Sequence, residues 1–153
     1  MPNEVPSGMS KEMEIGLAQM EQIKDYMENL NLQRDSLRAA LMDYQRAEEV
    51  VMELKRGGGE DLLIPIGGFI LARGEIKEKN SLILDRGAGV LVDTGLEQAL
   101  DLIKERRSRV EKAVDSIEKS LNEMASRYGE ISDRTQKLYR DQITSGQGPK
   151  MTF

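Results

Sequence analysis

Residues 57–94 read GGGEDLLIPIGGFILARGEIKEKNSLILDRGAGVLVDT, and this stretch decides the fold. It contains four short apolar runs, at 62–64, 69–71, 82–84 and 90–92, separated by Gly, Asn and Ser. Short apolar runs bounded by such turn-forming residues are typical of β-strands. The stretch therefore predicts four strands arranged as two hairpins.

The predicted strands lack the alternation of apolar and polar residues expected of a sheet with one face in water. A segment this short cannot cover both faces of its own sheet, and a small sheet with open edges is only marginally stable. The sequence therefore predicts an obligate oligomer whose strands are covered by other subunits. The residues expected at that interface are Leu63, Ile64, Ile66, Phe69, Ile70, Leu71, Ile83, Val90, Leu91 and Val92.

Two long segments, 9–56 and 95–143, flank the strand region and contain no proline. Apolar residues recur in each with a period of seven, at nine of twelve positions in the first segment and eleven of fourteen in the second. A period of seven sustained this long predicts a left-handed coiled coil. We call these positions the seam: Met13, Gly16, Met20, Ile23, Met27, Leu30, Arg34, Leu37, Leu41, Tyr44, Glu48, Val51, Leu96, Leu100, Ile103, Arg107, Val110, Val114, Ile117, Leu121, Met124, Tyr128, Ile131, Thr135, Leu138 and Gln142.

The ends of both segments match helix termini. Either Ser7 or Ser10 can cap the first helix, and the glycines at 57–59 end it. The sequence TGLE at 94–97 predicts a capping box at the start of the second helix. Two helices of nearly equal length joined by a compact insert predict an antiparallel hairpin.

Arg34 and Arg107 interrupt the apolar seam. We expect each of them either to extend its charge to the surface or to pair with Asp or Glu on the facing helix. In either arrangement the role of these residues is to fix the register of the helices.

The composition excludes several classes of enzyme. The chain has no His and no Cys, so it has no thiol nucleophile, no Ser-His-Asp triad and no His or Cys zinc site. The net charge is −5 and no segment is basic, so neither nucleic acid nor an anionic membrane is an expected partner. No apolar run approaches the ~20 residues that cross a bilayer, and the N-terminus lacks the apolar core of a secretory signal.

Two motifs with possible chemistry have simpler explanations. Asp93-Thr94-Gly95 is similar to the catalytic turn of aspartic proteases, but a predicted helix follows it, so Thr94 is interpreted as a helix cap. The glycine clusters lack the Gly-Lys-Ser/Thr ending of a phosphate-binding loop and are interpreted as turns. We therefore expect no catalytic residue, no cofactor and no metal site.

The order of long helix, strand insert and long return helix resembles prefoldin, a chaperone of archaea and eukaryotes. DLLIPIG at 61–67, RGAGVLVD at 86–93 and LEQALDLI at 96–103 are similar to the alpha class, as is the presence of two hairpins. The resemblance implies an α+β fold with a β-barrel platform in a hexamer of two alpha and four beta subunits. It also implies an ATP-independent cytoplasmic chaperone that captures unfolded proteins at its coiled-coil tips and delivers them to a group II chaperonin.

The open end of the predicted helix pair is where this resemblance places client contact. The residues expected there are Met9, Met13, Leu17, Met20, Leu138 and Ile143. Methionine adapts to many apolar shapes, and Gly16 and Gly129 weaken the helices near this end. These residues could also be ordinary seam residues, and the chain could be a structural tether or adaptor with one defined partner. Apolar residues outside the seam favour the chaperone. Residues 144–153 are expected to form a flexible tail.

Overall fold

The computed structural model describes residues 10–145, and its elements follow the predicted order. Two long helices flank two hairpins in the sequence, which confirms the predicted α+β fold. The elements are α1 (Lys11–Lys55), β1 (Leu62–Gly67), β2 (Ile70–Gly74), β3 (Ser81–Asp85), β4 (Leu91–Gly95) and α2 (Leu96–Thr144). Met9, Ser7 and all but the first two residues of the predicted tail lie outside the described residues. Within 10–145, neither helix has a stretch long and apolar enough to span a membrane.

The chain divides into two compact units, which we describe separately. The helix unit combines Met1–Asp35 with Asp115–Phe153, and its described part is formed by the first half of α1 and the second half of α2. The hairpin unit, Ser36–Val114, contains the other halves of both helices and all four strands.

The predicted seam is confirmed in both units. Every one of the 26 seam positions is buried or half-buried. In the helix unit Met13, Leu30 and Leu121 are less than 9% exposed, and in the hairpin unit Val51 and Leu100 are equally well covered. The period of seven therefore identified the helix faces that pack against each other.

Helix α1 begins and ends with recognised capping structures. The Met13 backbone N–H donates to Ser10 Oγ at 3.3 Å, so Ser10 acts as the N-cap. At the other end the N–H groups of Gly57 and Gly58 donate to the carbonyls of Leu54 and Glu53 at 3.1 and 2.9 Å. This pair of bonds is a Schellman motif, and the φ of +97° at Gly57 shows why glycine is required there.

The capping box predicted at 94–97 is wrong. Thr94 and Gly95 belong to β4, where they pair with Leu82 and Ser81 of β3. The Thr94 hydroxyl donates to the Gly95 carbonyl at 3.5 Å, and the Glu97 carboxylate is bound to a lysine of α1. Strand pairing keeps Thr94 extended, so the helix starts directly from the end of the strand. The Asp-Thr-Gly run is therefore a strand end rather than a helix cap.

The two hairpins form two separate antiparallel sheets, β1 with β2 and β3 with β4. Gly67 pairs with Ile70, which leaves Gly68 and Phe69 as a two-residue turn with φ of +57° and +63°. Positive φ at both positions is the geometry of a type I′ turn. Phe69 was predicted within a strand and lies in this turn instead.

Val90 also lies in a turn rather than in the predicted strand. Its N–H donates to the Gly87 carbonyl at 3.0 Å, and its carbonyl accepts from the Arg86 N–H at 2.9 Å. These bonds close the loop between β3 and β4 one residue before β4 begins.

Candidate binding surfaces

The hairpins expose most of their large apolar side chains. All ten residues predicted at the oligomer interface are exposed, from 38% for Val92 to 108% for Phe69. Neighbouring strand residues point to opposite faces, so exposure of both Leu63 and Ile64 means that both faces of the first hairpin are uncovered. In the second hairpin Leu91 and Val92 are also exposed, whereas Leu82 and Leu84, on the same face as Val92, are half-buried. Contiguous exposed apolar surface of this kind marks an interaction site.

The connection between the hairpins is anchored to the end of α1. Lys79 Nζ donates to the Gly57 carbonyl at 3.2 Å and to Glu60 Oε1 at 3.3 Å. The Ile76 N–H donates to the Gly59 carbonyl at 2.8 Å. These contacts attach the segment between β2 and β3 to the residues that follow α1. Sequence reasoning missed Lys79, because a lysine in a polar loop carries no signal of its partner.

An ion pair joins the end of α1 to the start of α2. Lys55 binds the Glu97 carboxylate, and both side chains are more than half exposed. The hydrogen bond from Lys55 and its positive charge together lower the pKa of Glu97. The pair therefore holds the two helix ends together most strongly when Glu97 is ionised.

The two seam arginines have different partners. Arg107 binds Glu48 on the facing helix and lies 3.5 Å from Glu111 on its own helix, which confirms the predicted pairing across the seam. Arg34 instead lies 3.5 Å from Asp35, the exposed next residue of its own helix. For Arg34 the alternative of a charge extended towards the surface is therefore the one observed.

Helix packing in the helix unit includes one very close approach. A Cβ added to Gly16 of α1 would overlap the hydroxyl oxygen of Thr135 of α2, and Thr135 is only 8% exposed. Gly16 therefore has a packing role in addition to its low helix propensity. Gly129, the other interior helix glycine, has no atom within 4 Å of its Cβ position. The signal for this contact was a glycine at a seam position, where apolar side chains are the rule.

The six residues predicted for client contact differ in exposure. Met9 lies outside the described residues, and Met13 is 4% exposed in the seam. Met20 and Leu138 are half-buried. Leu17 and Ile143 are 43% and 53% exposed, as are, to a similar extent, the neighbouring Ile15 and Tyr139.

One side of the helix unit carries a shallow groove. Two adjoining cavities of about 370 and 390 Å³ share the wall residues Gln19, Ile131 and Arg134. Their apolar walls include Ile15 and Ile23. The groove combines apolar side chains with amide and charged side chains at its border. The apolar side chains can contact an apolar segment of another protein, while the polar ones form hydrogen bonds with the backbone of that segment.

The family model for the prefoldin subunit matches residues 23–141. The chain belongs to the prefoldin family. Prefoldin subunit alpha of Pyrococcus horikoshii is 26% identical over 136 residues, which cover 88% of this chain and 87% of that protein. Prefoldin subunit alpha of Nitrosopumilus maritimus is 26% identical over 134 residues, covering 88% and 92%. These relatives confirm the resemblance to the alpha class.

A solved structure of filamentous PFD from Methanocaldococcus jannaschii is also similar, with a TM-score of 0.46 and 16% identity. The match covers 82% of this chain and 99% of the chain in that structure. As a prefoldin, the chain is a chaperone subunit that assembles into oligomeric prefoldin complexes.

Proposed function

We propose that this subunit works in the cytoplasm as an ATP-independent holder of unfolded proteins, which it passes to a group II chaperonin. In this proposal the helix unit binds clients and the hairpin unit forms the assembly with beta-class subunits, two alpha to four beta. The observation that carries the proposal is the apolar surface near the N-terminal end of α1 and the C-terminal end of α2, where Ile15, Leu17, Tyr139 and Ile143 are 43–53% exposed.

The exposed residues of the helix unit suit weak and unselective binding. Leu17 and Ile143 are available to a client directly, together with Ile15 and Tyr139. Met13 is buried, so it can contribute only when the helices separate at this end. Unfolded chains present apolar side chains without fixed spacing, and several subunits acting together add avidity to weak individual contacts.

Assembly through the hairpins is supported by the ten exposed apolar residues described above. Burying a large apolar side chain stabilises an assembly by about 1.5–3 kcal/mol. The free strand edges of two-stranded sheets also leave backbone groups available for pairing with other chains. A β-barrel platform built from several subunits would satisfy both requirements.

Paired variants of the assembled complex test the client site. Leu17→Ser with Ile143→Ser removes two exposed apolar side chains from the helix unit. Met42→Ser with Val50→Ser is the matched control, because those residues are 53% and 50% exposed in the hairpin unit. Suppression of aggregation of a denatured test protein is measured without ATP. The first variant should protect several-fold less well, and the control should protect as the parent does.

If both variants protect the test protein as well as the parent does, the client site lies outside the helix unit. The delivery step is tested separately, by adding a purified group II chaperonin with ATP to the client complex. Release and refolding of the client should then require the chaperonin, and refolding without it would contradict the delivery proposal.

A further inference from the structure

The methionines within residues 10–145 divide into two sets by position. Met13, Met20, Met27 and Met124 occupy seam positions, all in the helix unit. The hairpin unit contains Met42 and Met52, which lie outside the seam and are 53% and 37% exposed. The seam positions of the hairpin unit contain Leu, Ile, Val, Tyr and one Arg–Glu pair but no methionine. A chemical change confined to methionine therefore alters the seam of one unit only.

The helix register places two of the seam methionines at facing positions. Gly16 lies against Thr135, and the same antiparallel register places Met27, eleven residues later in α1, opposite Met124, eleven residues earlier in α2. In agreement, Met27 lines a shallow cavity together with Ala125 and Tyr128 of α2. Met27 and Met124 are both half-buried. Both side chains thus lie in the seam and keep part of their surface exposed.

From this placement we infer that Met20, Met27 and Met124 form an oxidant-sensitive modification site that controls helix pairing in the helix unit. The oxidant is a peroxide. A sulfur lone pair attacks one oxygen of hydrogen peroxide, the O–O bond breaks, and a sulfoxide and water form. The sulfur is oxidised by two electrons, and the peroxide is reduced. Because the chain has no cysteine, no thiol of its own competes for the oxidant.

The sulfoxide changes the seam because it replaces an apolar, flexible group by a polar one. The new S=O oxygen is a strong hydrogen-bond acceptor, and burying it without a donor is unfavourable. At the Met27–Met124 level two such oxygens would face each other. Oxidation should therefore loosen α1 against α2 in the helix unit and leave the pairing in the hairpin unit unchanged. Methionine sulfoxide reductases reverse the modification.

The test uses the assembled complex treated with a series of hydrogen peroxide concentrations. Peptide mass spectrometry measures the sulfoxide at each methionine, and amide hydrogen exchange measures the opening of each helix segment. At doses that modify Met20, Met27 and Met124, exchange over 11–35 and 115–144 should accelerate about tenfold, the effect of one unsatisfied buried polar group. Exchange over 36–55 and 96–114 should change less than twofold.

Two variants separate the seam methionines from the exposed ones. Met20→Leu/Met27→Leu/Met124→Leu keeps seam volume and should resist the effect of peroxide. Met42→Leu/Met52→Leu should respond as the parent does. Sulfoxide reductases should restore slow exchange in the parent. The inference is overturned if peroxide leaves the seam methionines of the paired helices unmodified. It is also overturned if peroxide opens the helices of the triple variant as readily as those of the parent. Because the readout is exchange, neither outcome depends on client binding.

Discussion

Replacement of Gly16 by Ala tests a close contact between the two helices in the helix unit. In a helix interior this substitution normally stabilises by about 1 kcal/mol, because glycine has more conformational freedom to lose. Here the new Cβ would overlap the Thr135 hydroxyl, and overpacking of this kind costs about 1–3 kcal/mol. We therefore expect Gly16→Ala to be neutral or to destabilise the helix unit by up to about 2 kcal/mol.

Gly129→Ala is the matched control. It makes the same chemical change within the same unit, but no atom lies within 4 Å of the new Cβ. It should therefore gain the full helix-propensity term of about 1 kcal/mol. Thr135→Ala in the Gly16→Ala background should restore stability, with a coupling energy of about 1–3 kcal/mol between the two sites.

Thermal unfolding of the complex, together with hydrogen exchange over 11–35 and 115–144, measures these effects. For a chain of this size, 1 kcal/mol corresponds to about 2–4 °C in Tm. Gly16→Ala and Gly129→Ala should thus shift the unfolding of the helix unit in opposite directions or differ clearly in size. If Gly16→Ala stabilises as much as Gly129→Ala does, the close approach of Gly16 to Thr135 does not exist in solution.

Three further predictions concern the hairpin unit. The pKa of Glu97 is lowered, so its ion pair stabilises the fold above the ordinary glutamate pKa of about 4.3 and is lost as the pH falls through the lower folded value. Glu97→Gln should remove this part of the acid dependence, which is measured as unfolding stability at a series of pH values. Ile83→Asp should abolish oligomers in size-exclusion chromatography while the helical circular-dichroism signal remains. Ser81→Asp, on the same face of β3, should preserve the oligomers. Hexamers of the Ile83 variant would contradict assembly through the hairpins. Arg107→Leu leaves the largely buried Glu48 unpaired and should destabilise the fold by about 1–2 kcal/mol in urea unfolding. Adding Glu48→Leu should recover most of the lost stability. No recovery would mean that the ion pair itself stabilises the fold.

The helix seam could be predicted in full from the sequence because burial in a two-helix pair depends mainly on periodicity. Each face returns every seven residues, so even polar residues such as Arg107 and Glu48 are assigned correctly to the seam. The two-hairpin arrangement was equally accessible, since glycine-rich turns separate the apolar runs. In both cases the signal is repeated along the chain, and a single exceptional residue does not obscure it.

Individual side-chain partners could not be predicted, because they depend on which groups meet across elements. Thr94 and Glu97 have the spacing of a capping box, but β3 holds Thr94 in a strand and Lys55 binds Glu97. Arg34 and Arg107 occupy equivalent seam positions, yet only Arg107 meets an acidic residue on the facing helix. The local spacing of residues makes a capping box or an ion pair possible. Contacts with residues distant in the sequence determine whether that interaction forms.

The distribution of burial between helices and hairpins supports the proposal that the hairpins are the assembly region. In the helices each seam position is covered by the chain itself, so the apolar faces are satisfied within one subunit. In the hairpins both strand faces carry large aliphatic side chains, but residues 10–145 contain no element that covers Leu63, Ile70 or Leu91. The backbone geometry of the hairpins is nevertheless well defined, with a type I′ turn and a regular ladder. A surface that is shaped in this way and left uncovered supports the proposed assembly through the hairpins.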